Sequence, residues 1–265
     1  MTRIAFVPRA WRAARVALHG VEGLVTTLCV FPFASIERKR GLVQRWSARL
    51  LSLLHIDARE RGSIDAPQGN VLVVANHVSW LDIFVINAQQ PARFVAKADL
   101  ARWPLVGTLI RGSGTIFVER ARRSDTRRVN ECATQALLGG DVVAVFPEGT
   151  TTDGSGLLRF HASLLQPIIE SNGRVQPVAL RYTDVAGARS MAPTYGDESF
   201  AVSFWRVCGE RRLFVDVIAT PPIAATATHR RELARVAEDA IRTALDGGAA
   251  ATEPGTRADR AGSPP

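Results

Sequence analysis

Val71-Leu72-Val73-Val74-Ala75-Asn76-His77-Val78-Ser79-Trp80-Leu81-Asp82 is the stretch on which the fold turns. Val71 to Ala75 is an unbroken apolar run, the pattern of a strand buried on both faces. Ser79 with an acid three positions on resembles a capping box, so a helix is expected to begin near Ser79 and continue through Ile83 to Ala88. His77 and Asp82 stand five residues apart, which on a continuous helix is a rotation of about 140°. The two meet only if His77 lies in the turn before the helix. A histidine and an acid placed this way supply a base and its orienter, whereas the plainer reading is that Ser79 and Asp82 only cap.

Working outward, further short apolar runs read as strands: Phe94 to Ala96, Thr115 to Val118, Val142 to Phe146, Val175 to Arg181, Phe200 to Trp205 and Leu213 to Ala219. Asp125 to Leu138 reads as a helix. Leu233, Val236, Ala237, Ala240, Ile241 and Leu245 mark one apolar face of a closing helix. Strands alternating with helices predict an α/β domain over 57–245 with a mixed sheet covered by helices. The Gly-, Ala- and Pro-rich residues 246–265 are expected to be a disordered tail.

Residues 1–56 read differently. Val16 to Ile36 is 21 mostly apolar residues, long enough to span a bilayer, yet it contains His19, Glu22 and Pro32 and has arginines on both sides. Spanning and lying flat both stay open. Leu42, Val43, Trp46, Leu50, Leu53 and Leu54 then share one helical face opposite Arg45 and Arg49, which is expected to lie at a membrane surface. The segment is therefore expected to be two membrane-associated helices.

Composition narrows the partners. Thirty-three basic residues against 25 acidic leave +8, so an anionic partner is expected: nucleic acid, phosphorylated metabolite or membrane. The basic residues are dispersed, aromatic content is 7%, and no zinc, helix-turn-helix or aromatic-sheet pattern is present, which argues against nucleic acid. Three scattered cysteines argue against a disulfide framework and for a reducing compartment. Gly154-Ser155-Gly156 is not a nucleophile elbow, and there is no P-loop lysine. Lys39 and Lys97 are the only lysines in a chain that otherwise uses arginine, which singles out Lys97.

Three further segments sit at strand ends. Gly114-Thr115-Ile116-Phe117-Val118-Glu119-Arg120 ends in a cation, Phe146-Pro147-Glu148-Gly149-Thr150 in a carboxylate on a glycine turn, and Val175-Gln176-Pro177 holds a proline. Ligands of open α/β sheets bind beyond the carboxyl ends of strands, so these segments can line one crevice with His77. Each also has an ordinary reading: a solvated charge run, a turn, an edge-strand proline.

In this order the blocks resemble the glycerolipid acyltransferase family. Asn76, His77, Ser79 and Asp82 match its Asn-His-x-Ser-x-x-Asp block; Gly114, Ile116, Phe117 and Arg120 match its second; Phe146 to Thr150 match its Phe-Pro-Glu-Gly-Thr block; Pro177 matches the fourth. Lys97, Leu100, Pro104 and Gly107 fit the pattern between the first two, and the likeness covers about residues 70 to 182 plus the N-terminal two-helix motif. The resemblance implies transfer of a fatty acyl chain from acyl carrier protein or acyl-coenzyme A to the free hydroxyl of a lysolipid, without metal, cofactor or covalent acyl-enzyme. His77 and Asp82 would be catalytic. Arg120 and Lys97 would hold an anionic head group, and Glu148 in its Glu148-Gly149-Thr150 turn would hold glycerol-like hydroxyls. Backbone N–H groups at the helix start would face the oxyanion.

The implied acceptor is 1-acyl-sn-glycerol 3-phosphate, giving phosphatidic acid. Thr151 stands where the family commonly has arginine, and Phe160-His161-Ala162-Ser163 replaces its Phe-Lys-x-Gly, so two cations are missing. The run Glu148 to Gly154 looks closer to members that acylate lyso-ornithine lipid, the alternative acceptor. His161 is a second polar contact only if it reaches the pocket. A non-catalytic membrane-associated lipid-binding protein would explain the N-terminus but has no use for His77 and Asp82. The expected location is the cell inner membrane, with the catalytic domain facing the cytoplasm, where the thioester donors are.

Overall fold

The computed structural model describes residues 4–64, 69–102, 106–118, 123–195, 198–226 and 229–250. Helices α1 (Phe6–Val25) and α2 (Ile36–Leu53) lead into β1 (Ile56–Arg61) and β2 (Val71–Ala75). Then follow α3 (Asp82–Gln89), β3 (Arg93–Lys97), α4 (Val106–Gly112), β4 (Ile116–Val118), α5 (Arg123–Leu138) and β5 (Val142–Val145). The chain continues with α6 (Gln166–Glu170), β6 (Arg174–Thr183), α7 (Phe200–Cys208), β7 (Leu213–Ala219), β8 (Ile223–Ala224) and α8 (Arg230–Ala250).

Seven strands form a sheet in the order β1-β7-β6-β2-β5-β3-β4, with β8 pairing β6 from the side. The pairs from β6 through β2, β5 and β3 to β4 are parallel, and β6 with β7 is antiparallel. The sheet is therefore mixed, as expected, and the carboxyl ends of β2 to β6 share one edge. Every residue of β2 is buried. Val71, Val73 and Ala75 pack with α1, α2, α3 and α7 through Val16, Leu50, Leu54, Val85, Ile86 and Val207. Leu72 and Val74 face α5, α6 and α8 through Leu137, Ile168, Leu233 and Ile241. Helices on both faces leave β2 no solvated side, which is why its sequence is uniformly apolar.

Four expectations change. Phe200–Trp205 is helical, within α7, because Phe200, Phe204 and Val207 share one face and the two phenylalanines pack on Trp80. A six-residue apolar run does not reveal its period. The polar β1 was not expected; it is an edge strand on β7, with Arg59 lying over the Phe214 ring at 3.8 Å. Pro177 is not on an edge: β6 is central, and Pro177 sits where its partner changes from β8 to β7, so a missing N–H interrupts no ladder. The tail expectation fails at its start, since α8 runs to Ala250. Residues 251–265 lie outside the described residues.

The N-terminus does contain two helices, but they differ. Phe6–Phe33 is one continuous helical segment of 28 residues, long and apolar enough to cross a membrane, with an α-helical part followed by a π turn at Thr26–Val30 and a 3-10 turn at Phe31–Phe33. Along it Phe6, Trp11, Leu18 (70% exposed), Leu28 and Phe33 (89%) point away from the protein. By contrast α2 turns its apolar face inward: Leu50, Leu51, Leu53 and Leu54 belong to the sheet's core, so this face is not at an interface. His19 and Glu22 of the apolar segment point at α2. His19 stacks on Trp46 with ring centroids 4.7 Å apart, donates from Nε2 to the Trp46 carbonyl at 3.0 Å, and accepts at its own carbonyl from Trp46 Nε1 at 3.0 Å. Glu22 takes both bonds of Arg49 Nη1. A Cβ on Gly23 would come within 2.6 Å of Trp46 Nε1, so only glycine permits this crossing. Arg9 and Arg12 donate to the Trp205, Cys208 and Glu210 carbonyls at the end of α7, where cations offset the helix dipole.

Candidate active site

Asn76 decides how the chain leaves β2. Its side-chain amide imitates another residue of strand: Nδ2 donates to the Leu180 carbonyl at 3.0 Å and Oδ1 accepts the Leu180 N–H at 2.7 Å. The ladder to β6 is thereby completed one residue beyond Ala75, and His77 is free to turn out. The His77 main chain is then held from two sides. Its N–H donates to Glu148 Oε1 at 2.8 Å, and its carbonyl accepts from the Thr152 N–H at 2.8 Å.

The His77 ring is held by a hydrogen bond as well as by packing on one face. It stacks on Phe146 at 4.0 Å, nearly parallel at 9°, and its Nδ1 lies 2.8 Å from Asp82 Oδ2. Asp82 is fully buried, and the histidine side chain is 19% exposed. Because a carboxylate accepts, Nδ1 carries the shared proton and the lone pair is left on Nε2. The sequence expectation that His77 and Asp82 meet across a turn is what the structure has.

Asp82 has further partners that spacing did not reveal. Oδ2 also accepts the Val78 and Ser79 N–H groups at 2.8 and 2.9 Å, and Oδ1 accepts the Tyr182 hydroxyl at 2.7 Å. The expected capping box is half realised. The acid reaches back to the Ser79 N–H, but the helix begins at Asp82, and Ser79 Oγ accepts from Leu81 N–H at 3.2 Å. The Asp82 N–H is already bonded to the Ser79 carbonyl, which leaves the serine hydroxyl to its nearer neighbour. The helix-start donors expected to face an oxyanion are thus largely used. Among the described residues of this helix start, Trp80 and Ile83 keep an N–H without a partner.

Glu148 sits at the carboxyl end of β5, buried, with Oε2 accepting the Leu158 N–H at 2.8 Å. Burial pushes its carboxyl above the ordinary range, against the pull of the two backbone donors. Gly149 follows with φ 74°, a left-handed turn that suits glycine and aims the carboxylate back at His77. Both Glu148 oxygens therefore bind main chain. Thr150 is exposed. Thr151 Oγ1 donates to the Tyr195 carbonyl, tying this loop to the segment before α7.

Lys97 ends β3 opposite Val118 of β4, at the same sheet edge as His77 and Glu148. Arg120 and Pro104 lie outside the described residues. His161 is exposed, and its N–H bonds the Pro147 carbonyl. The turn also carries an aromatic cluster: Trp80 packs on Phe84, Phe200 and Phe204 at 5.1 to 6.3 Å and donates to Ser203 Oγ. Phe146, Thr152 and Tyr182 are the contacts sequence reasoning missed. The first was legible as part of a matched block; the other two carry no local signal.

The acyltransferase family pattern matches residues 56–181. Over 244 residues the chain is 36% identical to a lyso-ornithine lipid O-acyltransferase of Pseudomonas aeruginosa, covering 92% of this chain and 89% of that one. Over 186 residues it is 38% identical to a 1-acyl-sn-glycerol-3-phosphate acyltransferase of Neisseria gonorrhoeae, covering 70% and 72%. The crystal structure of a 1-acyl-sn-glycerophosphate acyltransferase from Thermotoga maritima has the same fold, with a TM-score of 0.63 at 22% identity over 89% of this chain and 97% of that one.

Proposed function

The chain belongs to the acyltransferase family, and we propose that it moves a fatty acyl group from a thioester donor to the free hydroxyl of a lysolipid at a membrane surface. The observation that carries this reading is the His77–Asp82 pair, with Nδ1 committed to a buried carboxylate and Nε2 free to act as base. An alcohol is a poor nucleophile at neutral pH. His77 Nε2 takes the hydroxyl proton as the acceptor oxygen attacks the thioester carbonyl, and Asp82 stabilises the imidazolium, an effect of about 10²–10⁴-fold for general-base assistance. The tetrahedral oxyanion collapses with cleavage of the C–S bond, and the proton passes from His77 to the departing thiolate. The Trp80 and Ile83 N–H groups are the helix-start donors that remain for the oxyanion. The aromatic cluster around Trp80 and Phe200 offers the apolar wall a fatty chain needs.

The acceptor we assign is 1-acyl-sn-glycerol 3-phosphate, with Arg120 and Lys97 on its phosphate, since arginine binds phosphate in a bidentate way. Lyso-ornithine lipid is the second reading. It is favoured by Thr151, whose hydroxyl is spent on Tyr195 at a position where the family commonly carries a cation. The donor is acyl carrier protein or acyl-coenzyme A. The exposed apolar face of α1 anchors the enzyme on the inner membrane, with its sheet domain on the cytoplasmic side. Purified enzyme assayed side by side with both lysolipids and one acyl thioester, with Arg120→Ala in parallel, tests this. Preference for the phosphate acceptor, lost in Arg120→Ala, supports the assignment. A tenfold preference for lyso-ornithine lipid that Arg120→Ala leaves unchanged replaces it with the second reading, and no transfer to either overturns both.

A further inference from the structure

Tyr182 belongs to none of the blocks that mark this chain, yet it touches the catalytic pair. It comes near the end of β6, on the face that packs against α3, and is 2% exposed. β6 outruns its neighbour: β2 ends at Ala75 opposite Val178, the Asn76 amide extends the pairing to Leu180, and the next residue on that face is Tyr182. The phenol thus arrives at the start of α3 and donates to Asp82 Oδ1 at 2.7 Å, while Oδ2 is occupied by His77 Nδ1 and the Val78 and Ser79 N–H groups. With Asp82 fully buried, no solvent stands ready to replace the hydroxyl.

We infer that Tyr182 is a positioning residue for acyl transfer: its hydroxyl locks the Asp82 carboxylate against rotation and draws off part of its charge, and so sets the orientation and basicity of His77. The inference rests on the general-base reading of His77. Burial and the neighbouring Asp82 charge hold the phenol well above its ordinary range, so it remains a donor wherever the enzyme works. Among the described residues Glu148 is the other ionisable side chain facing this cluster, from the turn after β5, and its contacts to the His77 and Leu158 main chain do not involve the phenol. Removing the hydroxyl concentrates negative charge on the carboxylate, which holds the His77 imidazolium more tightly. The base is then harder to free, and the acid limb of the rate profile moves up in pH.

The test is Tyr182→Phe in the full-length chain, assayed in detergent micelles with lysolipid and acyl thioester over a wide pH range. Expected are an acid limb of kcat/KM raised by about half a unit, kcat lowered about tenfold and acceptor KM unchanged. In an Asp82→Asn background the same change should cost nothing more, because the tyrosine acts through the carboxylate. Should Tyr182→Phe fail to fold, 3-fluorotyrosine at position 182 keeps the shape and strengthens the donor, and the limb should move down. A folded Tyr182→Phe with wild-type turnover and an unshifted limb, an equal loss in the Asp82→Asn background, or a fluorotyrosine enzyme with an unmoved limb overturns the inference. Failure of the wild type to transfer at all would strike the functional reading itself, which separates the two outcomes.

Discussion

Replacing Glu148 by glutamine asks whether this carboxylate serves the protein's own main chain or the acceptor's hydroxyls. Its two oxygens accept the His77 and Leu158 N–H groups, each at 2.8 Å. Glutamine keeps one acceptor oxygen and turns the other position into a donor, so one buried N–H is left facing another. A hydrogen bond to a charged group is worth about 1.5–3 kcal/mol net, and an orphaned buried donor costs about as much. Part of this is recovered because a neutral amide escapes the desolvation that pushes the Glu148 carboxyl up. The net loss comes to about 2 kcal/mol, which lowers Tm by about 4–8 °C in a domain of this size. If the orphan is the His77 N–H, the histidine shifts in its turn and kcat falls with it. Circular-dichroism melts and steady-state kinetics against acceptor concentration measure both. An unchanged Tm together with a tenfold rise in acceptor KM would refute the reasoning and return Glu148 to the acceptor's hydroxyls.

His77→Ala should abolish turnover, by about 10² or more, while melting and vesicle binding stay at wild-type levels; a folded variant with comparable kcat would remove the histidine from the mechanism. Leu18→Glu with Leu28→Glu, both at exposed positions of the apolar segment, should weaken flotation with anionic vesicles at least tenfold at unchanged Tm, and full retention would place the membrane contact elsewhere. A water-soluble thiol reagent at neutral pH should label Cys132 and spare Cys208, which is buried with its thiol pushed up to about 11. Cys29 should react in detergent but be shielded on vesicles, and equal labelling in both would contradict immersion of its helix.

Residues close in sequence wrote most of the fold and half of the site. The apolar run Val71 to Ala75, mostly β-branched valine, reads as a strand with both faces covered, and the five-residue offset from His77 to Asp82 closes only across a turn; both readings lie within a dozen residues. Where two structures satisfied the same local pattern, the sequence left the choice open. The leucines of α2 suited a membrane surface as well as a core, and the sheet packed beneath them decided it. Phe200 to Trp205 suited a strand as well as a helix until Trp80 supplied a partner for one helical face. The rest depended on contacts between distant residues. Glu148 reaches His77 across 71 positions and Tyr182 reaches Asp82 across 100, distances over which a hydrogen bond leaves no periodicity in the chain. Only the parallel pairing that sets the carboxyl ends of β2, β5 and β6 side by side brings those groups together. A fully buried Asp82 then needs every donor it finds there, because no water remains to do the same.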